Sequence, residues 1–210
     1  MKIEALQQTA TIIRKQILDM VYHAGSGHLG GSFSAVEILT DLYFSQMNID
    51  PQRPDWELRD RFVLSKGHAT PVYYAVLAER GYFPKADLAG FRQIDSYLQG
   101  HPDMKGTPGV DMSSGSLGQG VSVATGMALS AKISNASYRV YAILGDGELE
   151  EGQVWEAAMF AAHKKLDHLC AVIDFNNLQI DGSLDEVNSP CPIDEKFKAF
   201  GWNVIVIDGH

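Results

Sequence analysis

The sequence predicts an α/β fold with a parallel sheet and helices on both faces, and three observations predict it. Two apolar, β-rich runs, 138–144 and 169–173, flank a helical segment at 153–165. Strand, helix, strand in that order is a βαβ unit, whose strands lie parallel and adjacent. Both runs then end in turn-forming polar residues, Gly145-Asp146-Gly147 and Asp174-Phe175-Asn176-Asn177. Those loops leave the same edge of the sheet, the carboxyl ends of its strands, where open α/β sheets bind ligands.

The remaining elements follow in chain order. Leu6, Ala10, Ile13, Ile17 and Met20 recur at helical spacing and predict an amphipathic helix over about the first twenty residues. A Gly-rich turn, 24–31, ends it. Ser34 followed by Glu37 is a capping-box pattern that would open a second helix, running to about Met47. Residues 48–60 read as a surface loop. Arg61-Phe62-Val63-Leu64 is a short buried strand, 65–68 a turn, and 69–80 a helix closed by Gly81. Residues 86–98 read as helical with a break near Gly90. A long Gly- and Pro-containing loop spans 100–115, and loops of that length are often functional. A helix rich in small residues is expected over 117–133, where small side chains permit close backbone packing. After Asn177 come a loop to about Pro192, a short helix near 193–200, and a third apolar run, 203–207, of the same strand-forming kind as 138–144 and 169–173.

Composition limits the classes of function. The chain has 210 residues, 45% hydrophobic and 20% charged, which fits one globular domain over 1–210 with a sizeable core. A net charge of −9 argues against a general nucleic-acid binder, though backbone donors still bind phosphate locally. No run approaches the ~18 apolar residues of a membrane span, and the start lacks a signal-peptide pattern. Two cysteines make no disulfide framework; Cys170 is expected as a small core residue, and the cytoplasm is the default location.

The chemistry concentrates at the strand ends. Asp146 and Asn176 lie about thirty residues apart, the length of one βαβ unit, so the fold brings their side-chain oxygens together. A carboxylate, an amide oxygen and a nearby carbonyl form a hard, oxygen-only site of low charge. It suits Mg²⁺ or Ca²⁺ when a diphosphate supplies further ligands. Gly-Asp-Gly alone is common turn chemistry; the strand before it, the helix after it and the Asn-Asn at the next strand end make the combination specific. His28, His68 and His101 each sit in a Gly-flanked loop, and imidazole exchanges protons near neutral pH. Glu148 and Glu150 are explained by the preference for acids in a first helical turn.

Gly-Asp-Gly, just under thirty residues, then Asn-Asn resembles the thiamine diphosphate (ThDP) signature. The phrases Ser26-Gly27-His28, Leu64-Ser65-Lys66-Gly67-His68-Ala69, Gly100-His101-Pro102 and Gly115-Ser116-Leu117-Gly118-Gln119-Gly120 resemble transketolase, across nearly the whole chain. The resemblance implies the ThDP-binding fold and covers only a diphosphate-binding domain. It implies Mg²⁺ on Asp146, the Asn176 side chain and the Leu178 carbonyl. The cofactor would meet His68, Gly115, Ser116, Leu117, Gly147 and Asn176. His68 would contact the diphosphate, and His28 and His101 the sugar hydroxyls. Glu151 and Glu156 match acids near an interface between subunits, while His23, His163 and His168 lack such context and His210 has no assigned role.

The implied reaction moves a two-carbon ketol unit from a ketose phosphate to an aldose phosphate, as in the pentose phosphate pathway. The glutamate that activates the cofactor belongs to a pyrimidine-binding domain, which is not recognisable here. The chain thus resembles the N-terminal subunit of a split transketolase, paired, two copies of each, with a C-terminal partner chain. It ends at Asp208-Gly209-His210, before the further helix and strand of the family's domain. Two alternatives stand beside this reading: a transketolase-like subunit for a sulfonated, branched or unphosphorylated ketose, and a truncated, non-catalytic interaction module. Deoxyxylulose-phosphate synthase and pyruvate-type dehydrogenase components fit the histidine phrases less well.

Overall fold

The computed structural model describes residues 2–209. The chain opens with α1 (Ile3–Ala24), which buries Ala10, Ile13, Ile17 and Met20, the stripe its periodicity predicts. Gly25 closes it in the left-handed conformation (φ 61°), its N–H on the Tyr22 carbonyl. Two short helices, α2 (Leu29–Phe33) and α3 (Val36–Asp41), follow, and α3 runs into a wider π turn at Leu42–Gln46.

Among the described residues, the main sheet is β1 (Arg61–Leu64), β2 (Val140–Gly145) and β3 (Leu169–Asp174), in that spatial order and all parallel. The register sets Val63 against Ala142 and Ala142 against Ala171. Side chains alternate across a strand, so each strand feeds two cores. Phe62, Leu64, Tyr141 and Ile143 pack with α1, α3 and α4 (Thr70–Arg80). Val63, Val140, Ala142 and Leu144 pack with α5 (Gln119–Ser134), α6 (Gly152–His163) and α8 (Ile193–Ala199). Helices therefore cover both faces, as the sequence predicts. Each fully buried Leu or Ile contributes about 1.5–3 kcal/mol, so the continuous apolar runs of β1 and β2 fix the sheet. The small residues opening α5 have a visible use: a Cβ on Gly120 would stand 2.6 Å from the Ser65 Cα.

The structure corrects five local expectations. Ser34 and Glu37 form no capping box: Ala35 is the N-cap of α3, the Ser34 hydroxyl donates to Asp174, and Glu37 pairs with Arg14 at 2.6 Å. A long-range partner outcompetes the local cap. The capping box lies instead at Ser183 and Glu186, opening α7 (Leu184–Val187). Residues 86–98 form only a 3₁₀ turn, Lys85–Gly90, after which the Arg92 N–H turns back to the Leu98 carbonyl. The expected loop after Asn177 contains a small antiparallel hairpin, β4 (Leu178–Gln179) with β5 (Gly182–Ser183). Residues 203–207 form no strand; Ile205, Val206 and Ile207 are about three-quarters exposed, because no ladder partner lies beside them among the described residues. Cys170 is exposed rather than core, since β3 is an edge strand. His210 lies outside the described residues.

Candidate functional site

The loops leaving β1, β2 and β3 converge at one edge of the sheet, and the predicted site residues lie on them and on two neighbouring loops. β2 ends at Gly145, and Asp146 opens a 3₁₀ turn, Gly147–Glu150. The Asp146 carboxylate is buried. Oδ1 accepts the Gly147 N–H at 2.9 Å and Oδ2 accepts the Asn177 N–H at 2.6 Å. The register pairs Gly145 with Asp174, which brings the Asn176 loop beside Asp146. Asn176 Oδ1 accepts the Leu178 N–H at 3.0 Å, and Asn177 takes a left-handed backbone (φ 61°) to make the turn. Burial raises the Asp146 pKa above its ordinary value, opposed by the two N–H donors and reinforced by Asp174. No cation pairs with Asp146 among the described residues. A carboxylate has about four lone-pair sites; with two N–H donors satisfied, capacity for a hard cation remains. A carboxylate with spare acceptor capacity, next to a loop that carries an amide oxygen, is the kind of hard oxygen donor that suits a divalent cation.

The three histidines come together. The rings of His28 and His68 meet edge to face with centroids 5.1 Å apart. His101 lies within electrostatic reach of both. Burial, then Lys66 and the other two histidines, lowers the His68 pKa to about 4. Burial, then Arg92 and His101, holds that of His28 below its usual value. Both imidazoles are thus neutral at physiological pH. Around them the backbones run close: a Cβ on Gly67 would stand 2.8 Å from the Gly115 nitrogen, and one on Gly115 would stand 3.2 Å from His101 Cδ2. Gly115, Ser116 and Leu117 therefore sit against the His68 and His101 loops. α5 begins at Gln119, two residues later than expected. Gly147 borders Gln179, and Leu178 opens the hairpin. His23 and His168 bond main-chain carbonyls, of Asp19 and Tyr138, and His163 lies at the end of α6.

Sequence reasoning missed a buried layer beneath these loops. Lys66 is 1% exposed and donates to the Gly31 carbonyl at 2.6 Å and to Asp174, which also accepts from Ser34. Glu148, assigned above to the helix dipole alone, is 2% exposed and accepts from Ser65, Gly118 and Gly145. The only sequence signal for either was a charge set within a Gly-rich phrase. Two clefts of about 240 and 350 Å³ lie at the other end of the strands, by Asp60 and Arg139 and by Lys132 and His168. None of the predicted site residues lines them.

This edge gathers a buried carboxylate with no cation partner among the described residues and a cluster of histidine-bearing loops at the carboxyl ends of parallel strands, the place where open α/β sheets bind ligands. A family profile described as "Transketolase, thiamine diphosphate binding domain" matches residues 5–210. The chain belongs to the transketolase family, whose members are transferases. It is 51% identical over 205 residues to the 6-deoxy-6-sulfo-D-fructose transketolase subunit SqwG of Clostridium sp. (strain MSTE9), covering 98% of this chain and 74% of that one. It is 41% identical to an apulose-4-phosphate transketolase subunit of Phocaeicola vulgatus, covering 100% and 74%. Human transketolase is 46% identical, but the chain spans only 34% of it. The crystal structure of Campylobacter jejuni transketolase superposes with a TM-score of 0.94 at 36% identity, covering 100% of this chain and 34% of that one. The chain thus spans about three-quarters of the two relatives named as transketolase subunits and about one-third of the two transketolases.

Proposed function

We propose that this chain is the ThDP- and Mg²⁺-binding subunit of a two-chain transketolase. It would move a two-carbon ketol unit from a ketose phosphate to an aldose phosphate, and only beside a partner that carries the pyrimidine-binding domain. The observation that carries this reading is the single sheet edge holding Asp146, the Asn176 loop and the three-histidine cluster. Similarity to two chains named as transketolase subunits supports a two-chain enzyme, proposed here as two copies of each chain. One diphosphate-binding domain spanning the chain, placed in the cytoplasm, completes the proposal; two free, exposed cysteines suit a reducing compartment.

In this reading Asp146, the Asn176 amide oxygen and the Leu178 carbonyl hold Mg²⁺, with Ca²⁺ able to substitute. His68, Gly115, Ser116, Leu117 and Gly147 line the cofactor. Bound ThDP supplies the electron sink for breaking and forming the carbon–carbon bond. The protein's own residues bind, orient and move protons. Neutral His68 donates a hydrogen bond to a diphosphate oxygen without adding charge. Neutral His28 accepts a proton from a sugar hydroxyl, and His101 on the facing loop serves the neighbouring hydroxyl. Glu151 and Glu156, just before and on α6, face a second protomer.

A second reading keeps the mechanism and changes the donor to a sulfonated or branched ketose; the 51% identity to a sulfofructose transketolase subunit favours it. The test is an assay of the chain with its companion, ThDP and Mg²⁺, offering xylulose 5-phosphate or 6-deoxy-6-sulfofructose with an aldose phosphate acceptor. Ketol transfer from xylulose 5-phosphate supports the first reading, and transfer from the sulfonated sugar alone supports the second. No transfer and no ThDP uptake would leave a non-catalytic interaction module.

A further inference from the structure

Three cofactor loops meet at one side chain. Glu148 lies two residues past Asp146, in the 3₁₀ turn Gly147–Glu150. Its Oε1 accepts from the Ser65 hydroxyl and from the Gly118 N–H at 2.9 Å; its Oε2 accepts from the Gly145 N–H at 3.1 Å. Ser65 begins the loop that carries His68. Gly118 follows Gly115-Ser116-Leu117 directly. Gly145 precedes Asp146 and Gly147 directly. These loops come from three separate stretches of chain; the first two approach backbone to backbone at Gly67 and Gly120, and the first is tied to the strand that ends at Gly145 by the Ser65 and Lys66 N–H groups, both donating to the Ile143 carbonyl. A displacement of one loop is therefore passed to the others.

The side-chain chemistry at this junction is restrictive. Each carboxylate oxygen faces a backbone N–H, Gly118 on Oε1 and Gly145 on Oε2, with the Ser65 hydroxyl also on Oε1, so the group between them must offer an acceptor at both positions. A carboxylate meets that condition. A glutamine of the same length presents an NH₂ to at least one of the donors and leaves it unpaired. An alanine leaves all three unpaired. An acid favoured only by the helix dipole would have stayed at the surface, as Glu150 does.

We propose that Glu148 is a positioning residue that sets the mutual spacing of the three loops forming the cofactor's diphosphate site. Removing one of its bonds then weakens cofactor binding and leaves turnover of the loaded enzyme nearly unchanged. This rests on the ThDP-binding reading above. It adds a residue that contacts neither metal nor cofactor, yet controls how well both are held.

The experiment titrates ThDP, at fixed Mg²⁺, into the full chain assembled with its companion chain. Wild type is compared with Glu148→Gln and Ser65→Ala. The thermal midpoint of each cofactor-free protein and the rate at saturating ThDP are measured alongside. Glu148→Gln is expected to weaken ThDP binding about tenfold, the effect of one unpaired buried donor. Ser65→Ala, which removes a donor and strands none, should weaken it less, with saturated turnover within about twofold of wild type for both. Unchanged ThDP affinity in Glu148→Gln overturns the proposal. So does a lowered thermal midpoint with ThDP affinity and saturated turnover both unchanged, which would mark a merely structural residue. If Glu148→Gln does not fold, Ser65→Ala decides: unchanged affinity there overturns the proposal, and weaker binding at full turnover upholds it. Failure of the wild-type assembly to bind ThDP is a separate result, which removes the cofactor reading itself and this inference with it.

Discussion

The two ends of the sheet use the same device for different purposes. At the amino ends of β1 and β2, buried Asp60 accepts the Asn48 and Arg139 N–H groups at 2.8 and 2.7 Å. Buried Asp111 accepts the Phe62 N–H at 2.8 Å and pairs with Arg59 at 2.5 Å. At the carboxyl ends, Asp146 also accepts two backbone N–H groups, yet no cation pairs with it among the described residues. The amino end uses both of these carboxylates to join loops to strands; the carboxyl end uses Asp174 and Glu148 in the same way and adds Asp146, which has no cation partner among the described residues. A buried carboxylate with backbone donors does not by itself mark a site. A buried carboxylate at the carboxyl end of a parallel strand, with acceptor capacity left over and a second oxygen-bearing loop beside it, does.

The sharpest way to break this contrast is to remove each acid in turn. Asp146→Ala should reduce Mg²⁺-dependent ThDP binding by more than about 100-fold, beyond what loss of a group behind a metal ligand costs. Calorimetric titration of the assembled protein reads it, and unchanged affinity would end the parallel between Asp146 and a metal ligand. Asp111→Ala should do the opposite. It strands the Arg59 guanidinium and costs about 3–5 kcal/mol of folding stability, read by urea denaturation, with ThDP affinity unchanged.

A pH experiment sharpens the comparison further. The His68 pKa lies at about 4, below the ordinary value of 6.5. Below about 6.5 the unfolded chain takes up a proton that the folded chain refuses. The stability His68 contributes is thus fully present above 6.5 and is lost progressively as pH falls from 6.5 towards 4. NMR titration of the imidazole should place its midpoint near 4; a midpoint near 6.5 would refute the burial argument. The smallest effect is expected at the surface. Glu151→Ala should leave the chain's stability within about 0.5 kcal/mol while lowering the assembly's mass by native mass spectrometry. Unchanged mass and activity would remove Glu151 from the interface.

What could be read from the residues divides along physical lines. The βαβ core was legible because β2 carries an unbroken apolar run and α1 a regular stripe, and burial rewards both directly. That the Asp146 turn and the Asn176-Asn177 turn adjoin was legible because one βαβ unit fixes their separation. Ser34 misled because its hydroxyl had a stronger partner 140 residues away, in Asp174. Residues 203–207 misled because a continuous β-branched run states a preference that only a neighbouring strand can satisfy. Lys66, Asp174 and Glu148 were illegible in role, since nothing local distinguishes a buried charge from a solvated one. Their meaning lies in which loops the fold brings together.

The measurement that bears most directly on the proposed cofactor site is native mass spectrometry of the protein purified from its own source, before and after ThDP and Mg²⁺ are added. The account predicts a hetero-oligomer containing a companion chain that takes up ThDP only with the metal, and loses that uptake when Asp146 is replaced by alanine. Recovery of this chain alone, with no ThDP bound at any Mg²⁺ concentration, would contradict it.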